Sequence, residues 1–222
     1  MTRAALLLLA DGRFPSGSHA HSAGTEAACA IGGVVDGASL QTFALGRLHS
    51  TGRVDASFAA SACHGLHDWP ALDAAYEART VSPRLRAVSR ALGRQLLRSG
   101  QRVWPSATLD SLRAASPLDG AHHPLALGAV ARAARLDEVE AATCALHHLA
   151  STIATSALRL LGLDPFEVYA RLADLTSIID EIAAEAATTA GGSLDALPAT
   201  SAPLVEILAE DHATWEVRLF AS

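Results

Sequence analysis

The sequence contains no lysine, so every basic residue is an arginine, and the acidic residues outnumber them to give a formal net charge of −6. This acidic balance argues against binding to nucleic acid, which requires a basic face. Long apolar runs are also missing, because no uninterrupted run reaches the roughly 18–20 residues that span a bilayer. We therefore expect neither a nucleic-acid partner nor a membrane-spanning segment.

Cysteine is scarce and scattered. Cys29, Cys63 and Cys144 lie far apart and form no C-x-x-C pair. An odd number of widely separated cysteines argues against a disulfide framework and is typical of a reducing compartment, so we expect a cytoplasmic protein. We interpret residues 1–10 as a first helix and not as a signal peptide, because charged residues follow this short apolar run at once.

Aromatic residues make up only 5% of the chain and β-branched runs are rare, whereas alanine and leucine dominate. This composition favours helix almost everywhere. Half of the residues are apolar, and a chain of this length buries about 70–75% of its unfolded surface. We predict an all-α fold in which residues 1–222 form a single-domain bundle of roughly ten helices.

The strongest periodicity lies in the second half. Apolar residues at three-four spacing predict a helix over residues 139–160, which Gly162 ends. Asp164 is placed to cap a second helix, with apolar residues in register over 168–186. We predict that these two helices form a long antiparallel hairpin at the centre of the core, and that residues 194–203 link it to a C-terminal helix and tail.

Turn and capping residues predict several other boundaries. Residues 51–52 are expected to end a helix that Asp36 or Ser39 caps, and residues 69–70 to interrupt the chain. Ser82, followed by proline, starts a helix that runs to residues 99–100. Repeated i, i+4 spacing gives this helix a basic stripe, for which pairing with nearby acidic residues is slightly favoured over an acidic partner. The stripe consists of Arg86, Arg90, Arg94 and Arg98.

The stretch FPSGSHAHSAGTE, at residues 14–26, organises the N-terminal part of the chain. Pro15 and Gly17 break the chain at a fixed place. A helix is expected to restart after them, with a serine at 16 or 18 as its N-cap. Glu26 would then lie two turns into that helix, with Ser22 one turn before it on the same face.

No recognised catalytic motif is present: there is no G-x-S-x-G, no P-loop and no dinucleotide fingerprint. Histidines are plentiful, however, and the chain has ten of them. Cys63, His64 and His67 are the best-placed metal ligands, because positions three apart on a helix share a face. His19 and His21 form an H-x-H. The paired histidines at 122–123 and 147–148 point in different directions on a helix, so neither pair readily holds one ion.

Five pieces of the chain, taken in order, resemble the urease accessory protein UreF family. They are Pro15, Gly17, Ser22, Gly24 and Glu26; Ser89, Gly93 and Arg94; His122, Pro124 and Gly128; Ala157, Arg159 and Leu160; and His212, Arg218, Leu219, Phe220 and Ser222. The likeness spans almost the whole chain. It departs from the family at His19 and His21, which replace aromatic residues, at residues 162–165, which replace P-L-G-Q, and at Ala213, which replaces a glutamate.

The resemblance implies an all-α, non-enzymatic homodimer. Such proteins bind the accessory protein UreD, also called UreH, and recruit the nickel-carrying GTPase UreG, so that nickel reaches apo-urease as GTP is hydrolysed. It also implies that this chain binds no cofactor stably and that its partners handle nickel and GTP. The residues expected to bind partners are Pro15, Gly17, Ser22, Glu26, Arg94, Arg159, His212, Arg218 and Phe220, and no catalytic or metal-binding residue is expected.

Two alternatives remain open from the sequence. One is a helical protein that stores or buffers nickel itself through Cys63, His64, His67 and the paired histidines. The other is an all-α hydrolase or regulator with an unrecognised site. The resemblance also leaves open whether His19, His21 or the Cys63 group contacts nickel in transit.

Overall fold

The computed structural model describes residues 3–220, so the first residues of the predicted N-terminal helix and Ser222 of the tail motif lie outside it. Within that range there is no strand, and the chain is all-α as predicted. Helices α1 to α12 are Arg3–Ala10, Thr25–Ala30, Gly37–Arg47, Arg53–His64, Trp69–Glu77, Pro83–Val103, Ala107–Ala115, His123–Ala133, Glu138–Leu161, Pro165–Asp174, Thr176–Thr189 and Pro203–His212. None of the helices in the described range is long and apolar enough to cross a bilayer.

Capping residues set most helix ends close to where the sequence predicts them. Asp36 and Ser39 together form a capping box at the start of α3. Ser82 accepts a hydrogen bond from the Leu85 N–H at the start of α6, although that helix continues to Val103, beyond its predicted end. Gly162 ends α9 with a φ of 64°, a conformation that glycine adopts without steric cost.

Two further predictions about helices differ from the structure. The helix does not end at residues 51–52, because a π-helical turn at Leu48–Gly52 joins α3 directly to α4. Gly52 is tolerated there because it packs closely under α9, where a Cβ atom would lie 3.1 Å from Leu149. The predicted helix over 168–186 is two helices, α10 and α11, which break at Leu175. The Leu175 side chain is buried in the core at this break.

The core lies on both sides of α9. On one side α10 and α11 fold back onto α9, as the predicted hairpin requires, and pack there with α3 and α4. On the other side α6, α7 and α8 form a second apolar cluster with the N-terminal part of α9. The centre is therefore shared by α4, α8 and α9. Gly128 on α8 allows the closest approach of α4, because a Cβ atom there would overlap the Ala59 carbonyl oxygen.

The predicted linker at 194–203 lies between α11 and α12 but is held against the body of the protein. It begins with a 3-10 turn at Leu194–Ala196, and Leu197 is buried. The Arg79 guanidinium donates hydrogen bonds to the carbonyls of Leu194 (2.8 Å) and Pro198 (3.0 Å). This arginine therefore fixes where α12 begins.

Candidate partner-binding site

We define the N-terminal loop as residues 14–24. It is held on α6 because side chains of that helix donate hydrogen bonds to the backbone of the loop. The Pro15 carbonyl accepts from the Ser99 hydroxyl at 2.6 Å and from the Gln95 amide at 3.3 Å. Gly17 and Gly24 have φ values of 84° and 85°, which a residue with a Cβ atom rarely adopts. The loop therefore has a defined shape and ends where α2 begins.

The predicted long helix through this stretch is wrong. Only a 3-10 turn at Ser18–Ala20 follows Gly17, and α2 starts at Thr25 with Gly24 as its N-cap. Glu26 consequently lies in the first turn of α2, where a carboxylate is favoured by the helix dipole. The fully buried Ser22 side chain accepts from the Glu26 N–H at 3.4 Å.

Glu26 joins α2 to the C-terminal residues 213–220, which we call the tail. Its carboxylate is buried and accepts hydrogen bonds from His212 Nε2 (2.9 Å), the Leu219 N–H (2.7 Å) and the Phe220 N–H (3.0 Å). Burial alone would raise the pKa of Glu26, but the hydrogen bonds from Leu219, His212 and Phe220 outweigh it and lower the pKa. An ionised Glu26 is therefore the group that holds the end of the tail.

A second contact holds the Phe220 ring. The ring is buried, and the Arg159 guanidinium of α9 lies over it, 4.5 Å from the ring centroid. Arg159 also donates a 3.3 Å hydrogen bond to the His19 carbonyl of the N-terminal loop. The same side chain thus contacts both the loop and the tail.

Arg47 supports the loop from beneath. Its Nη1 donates to the Ala23 carbonyl at 2.6 Å and its Nε donates to the Thr51 hydroxyl at 3.1 Å, across the π-helical turn. Ala23 has a φ of 52°, an uncommon conformation for a residue with a side chain, which this hydrogen bond helps to hold. Burial lowers the pKa of Arg47, and Asp55 has the largest effect among the charges that oppose this shift.

A cavity of about 170 Å³ lies behind the loop, lined by residues that include Arg47, Asp55 and Glu206. The Tyr76 hydroxyl donates to Asp55 at 2.7 Å, but burial is the larger influence and raises the pKa of this carboxyl to about 6. The cavity therefore contains charged groups that water does not fully solvate. Arg47 and Asp55 could not be identified from the sequence, because each lies alone in a helix with no motif around it.

The structure brings most of the predicted site residues into one region. Pro15, Gly17 and Ser22 lie in the loop, and Glu26, Arg159, His212 and Phe220 connect it to the tail. Arg218 is exposed at the rim, where it donates to the Ala213 carbonyl at 3.3 Å. Arg94 lies elsewhere: it is exposed on α6 and donates to the Asp119 carbonyl at 2.6 Å. Since Ser22, Glu26, His212 and Phe220 are buried, they form the contact between the two segments and do not themselves face solvent.

The arginine stripe of α6 is also divided. Arg90 is buried and pairs with Asp73 and Glu77 of α5, whereas Arg94 and Arg98 are exposed. Pairing with nearby acidic residues, the interpretation favoured from the sequence, holds for Arg90.

The histidines and cysteines considered above as candidate metal ligands do not place three donor atoms around a common point. The Cys63 thiol donates to the Leu136 carbonyl at 3.4 Å, and burial raises its pKa to about 12, so it is not a thiolate. His64 instead pairs with Glu138 at 2.8 Å. His148 Nε2 lies 3.0 Å from the Leu9 carbonyl, where an N–H can donate to it. Across residues 3–220, none of the predicted sets places three ligand atoms within reach of one ion.

The fold and the site define an all-α protein in which an N-terminal loop and a C-terminal tail form one joint surface. The UreF family model matches residues 34–176. Three relatives, each named urease accessory protein UreF, align over nearly their whole length. The protein from Mycolicibacterium vanbaalenii is 40% identical, over 99% of this chain and 98% of its own length. Those from Mycobacterium sp. strain JLS and Mycobacterium marinum are 38% and 39% identical, over 100% of this chain and 99% of theirs.

The chain therefore belongs to the UreF family of urease accessory proteins. The names of its relatives describe an accessory protein and not an enzyme. The family model covers α4, α8 and α9 at the centre of the fold but not the loop or the tail. The alignments with the relatives include both.

Proposed function

We propose that this protein is a bridge in urease maturation. It binds a UreD- or UreH-type accessory protein and the nickel-carrying GTPase UreG, and it regulates GTP-dependent delivery of nickel to apo-urease. Membership of the family supports the urease pathway, and the exposed apolar side chains of the tail and of α12 support a role in binding other proteins. In this proposal the partners carry nickel and GTP, the chain acts as a homodimer, and the assembly forms in the cytoplasm.

The observation that carries the proposal is the position of the tail. The buried Phe220 anchors it, whereas the adjacent Leu219 and Val217 remain 54% and 88% exposed. On α12, which packs against α2 beside the tail, Leu204 and Ile207 are 59% and 65% exposed. Several exposed apolar side chains within one short segment, here residues 204–219, are typical of a surface that another protein covers.

The first experiment removes the tail. Deletion of residues 218–222 should abolish co-purification with the UreD-type partner, because it removes the Phe220 anchor and the exposed Leu219 together. The helical signal in circular dichroism should remain, since no helix is deleted. A truncated protein that still co-purifies with the partner at the wild-type level would contradict the proposed role of the tail.

A second experiment separates anchoring from direct contact. Glu26→Ala leaves every exposed residue of the tail in place but removes its acceptor, so it should weaken both partner capture and urease activation in cells that supply the other accessory proteins. Leu219→Asp keeps the acceptor but changes the exposed surface, and should have a similar effect. If neither variant alters capture or activation, the joint surface is not the binding site.

The oligomeric part of the proposal needs its own measurement. Analytical ultracentrifugation of the chain should show a dimer. The UreD-type and UreG-type partners should then bind to that dimer, each in the same number of copies as this chain. A chain that sediments as a monomer both alone and with its partners would exclude the homodimer. Equilibrium dialysis with nickel tests the storage alternative, which requires stoichiometric binding by the isolated chain that is lost when Cys63, His64 and His67 are replaced.

A further inference from the structure

Three potential metal ligands meet where α5 approaches the start of α8. Asp73 and Glu77 lie one turn apart on the same face of α5, and His122 is the residue immediately before α8. One donor atom from each lies within 4.8 Å of the others. Two ligands of one ion, each about 2.0–2.2 Å from it, are separated by up to about 4.4 Å. The three side chains therefore need only small adjustments to hold one ion.

The side chain of His122 is independent evidence for a bound ligand at this place. Its ring is fully buried and packs at 4.7 Å, centroid to centroid, against Tyr76. Neither of its ring nitrogens has a hydrogen-bond partner among the described residues. Its Nε2 is 3.5 Å from the Glu77 carboxylate, longer than an ordinary hydrogen bond. A buried imidazole whose two nitrogens both lack a hydrogen-bond partner is expected to bind a water molecule or an ion.

The charge of the neighbourhood also favours a cation. The carboxylates of Asp73, Glu77 and Asp119 all surround the guanidinium of Arg90, and with Arg86 also counted the local charge is −1. Arg86 is the next cation, with its Nε 3.9 Å from Glu77. Burial and the charge of Arg90 lower the pKa of His122, whereas the charges of Asp73 and Glu77 act in the opposite direction.

We propose that Asp73, Glu77 and His122 bind a divalent first-row transition metal ion, such as nickel or zinc. One imidazole nitrogen with two carboxylate oxygens suits such ions, whereas magnesium and calcium prefer oxygen ligands alone. Glu77 is 44% exposed and provides the route of entry. Arg90 competes for both carboxylates, so the ion exchanges readily. This site is separate from the joint surface of the loop and tail and does not depend on the proposed function.

The test uses the full-length chain with nickel or zinc chloride as the only added ligand. Isothermal titration and equilibrium dialysis should show that Glu77→Gln and His122→Gln each lose one equivalent of bound metal, or bind it at least tenfold more weakly. Magnesium should not compete. His49→Gln, which changes an exposed histidine on the π-helical turn, is the matched control and should bind as the wild type does.

Two results would overturn the proposal. One is unchanged stoichiometry and affinity in Glu77→Gln, a partly exposed position where the substitution is not expected to disturb folding. The other is an absence of any change in the ¹⁵N resonances of the His122 ring when zinc is added to the wild-type protein. Either result would mean that Asp73, Glu77 and His122 do not hold a metal ion.

Discussion

Replacing Glu26 with glutamine tests the central contact of the candidate site with the smallest change in shape. The carboxylate accepts three hydrogen bonds, from His212, Leu219 and Phe220. Hydrogen bonds to a charged group contribute about 1.5–3 kcal/mol each. Glutamine retains one acceptor oxygen but presents an NH₂ group where the carboxylate accepted an N–H. We therefore expect Glu26→Gln to weaken docking of the tail by about 2–4 kcal/mol, without full additivity of the three bonds.

Hydrogen exchange measures this loss directly, because the Leu219 and Phe220 amides are protected only while the tail is docked. A loss of 2 kcal/mol corresponds to an increase of about 30-fold in their exchange rates. Fluorescence of Trp215, whose ring lies 4.7 Å from that of His212, should change as well. The matched control is Glu216→Gln, which removes an exposed carboxylate from the same tail.

Acidification should reproduce the effect in the wild-type protein. The pKa of Glu26 is lower in the folded protein than its ordinary value of 4.5. Its contribution is therefore complete above that ordinary value and is lost as the pH falls through the folded-state pKa. Protection of the Phe220 amide should fall over that acid range in the wild type but not in Glu26→Gln. If Glu26→Gln leaves both amides as protected as in the wild type at neutral pH, Glu26 does not hold the tail.

Three other substitutions test separate parts of the structure. Gly128→Ala should lower the free energy of unfolding in urea by about 1–3 kcal/mol, because its methyl group overlaps α4; Gly46→Ala, with open space around it, should not lower it. Asp55→Asn should raise the free energy of unfolding at pH 7.5 by about 1–3 kcal/mol. Burial raises the pKa of Asp55 from 3.8 to about 6, so the contribution of the protonated carboxyl to the free energy of unfolding is complete below pH 3.8. That contribution is lost as the pH rises through 6. A less stable Asp55→Asn protein would contradict this. Arg159→Gln should raise the exchange rate of the Phe220 amide several-fold, through the loss of about 0.5–2 kcal/mol of cation–π energy, while circular dichroism stays unchanged.

Helix ends were predictable where a local hydrogen bond or a glycine decides them. Asp36 caps α3 and Gly162 ends α9 because these effects involve residues only a few positions apart. The π-helical turn was not predictable, because packing against α9 overrides the low helix propensity of Gly52. The break at Leu175 was not predictable either, because the apolar residues keep their helical spacing across it.

The candidate site was predictable in its residues but not in its geometry. The resemblance identified Glu26 and Phe220 separately, yet they are 194 positions apart and no spacing rule connects them. Arg90 shows the same limit: its spacing on α6 was clear, but its burial depends on Asp73 and Glu77 of another helix. Local patterns indicate which face a residue occupies, and only the packed structure shows what that face meets.

The π-helical turn between α3 and α4 fixes the number of residues that this part of the chain can contain. A π turn has one more residue than an α turn, and each residue advances a helix by about 100°. Loss of a single residue there would regularise the helix but rotate all of α4 relative to Arg47, turning its packing faces away from α8 and α9. Insertions and deletions in this family should therefore avoid this turn and accumulate in the surface connections.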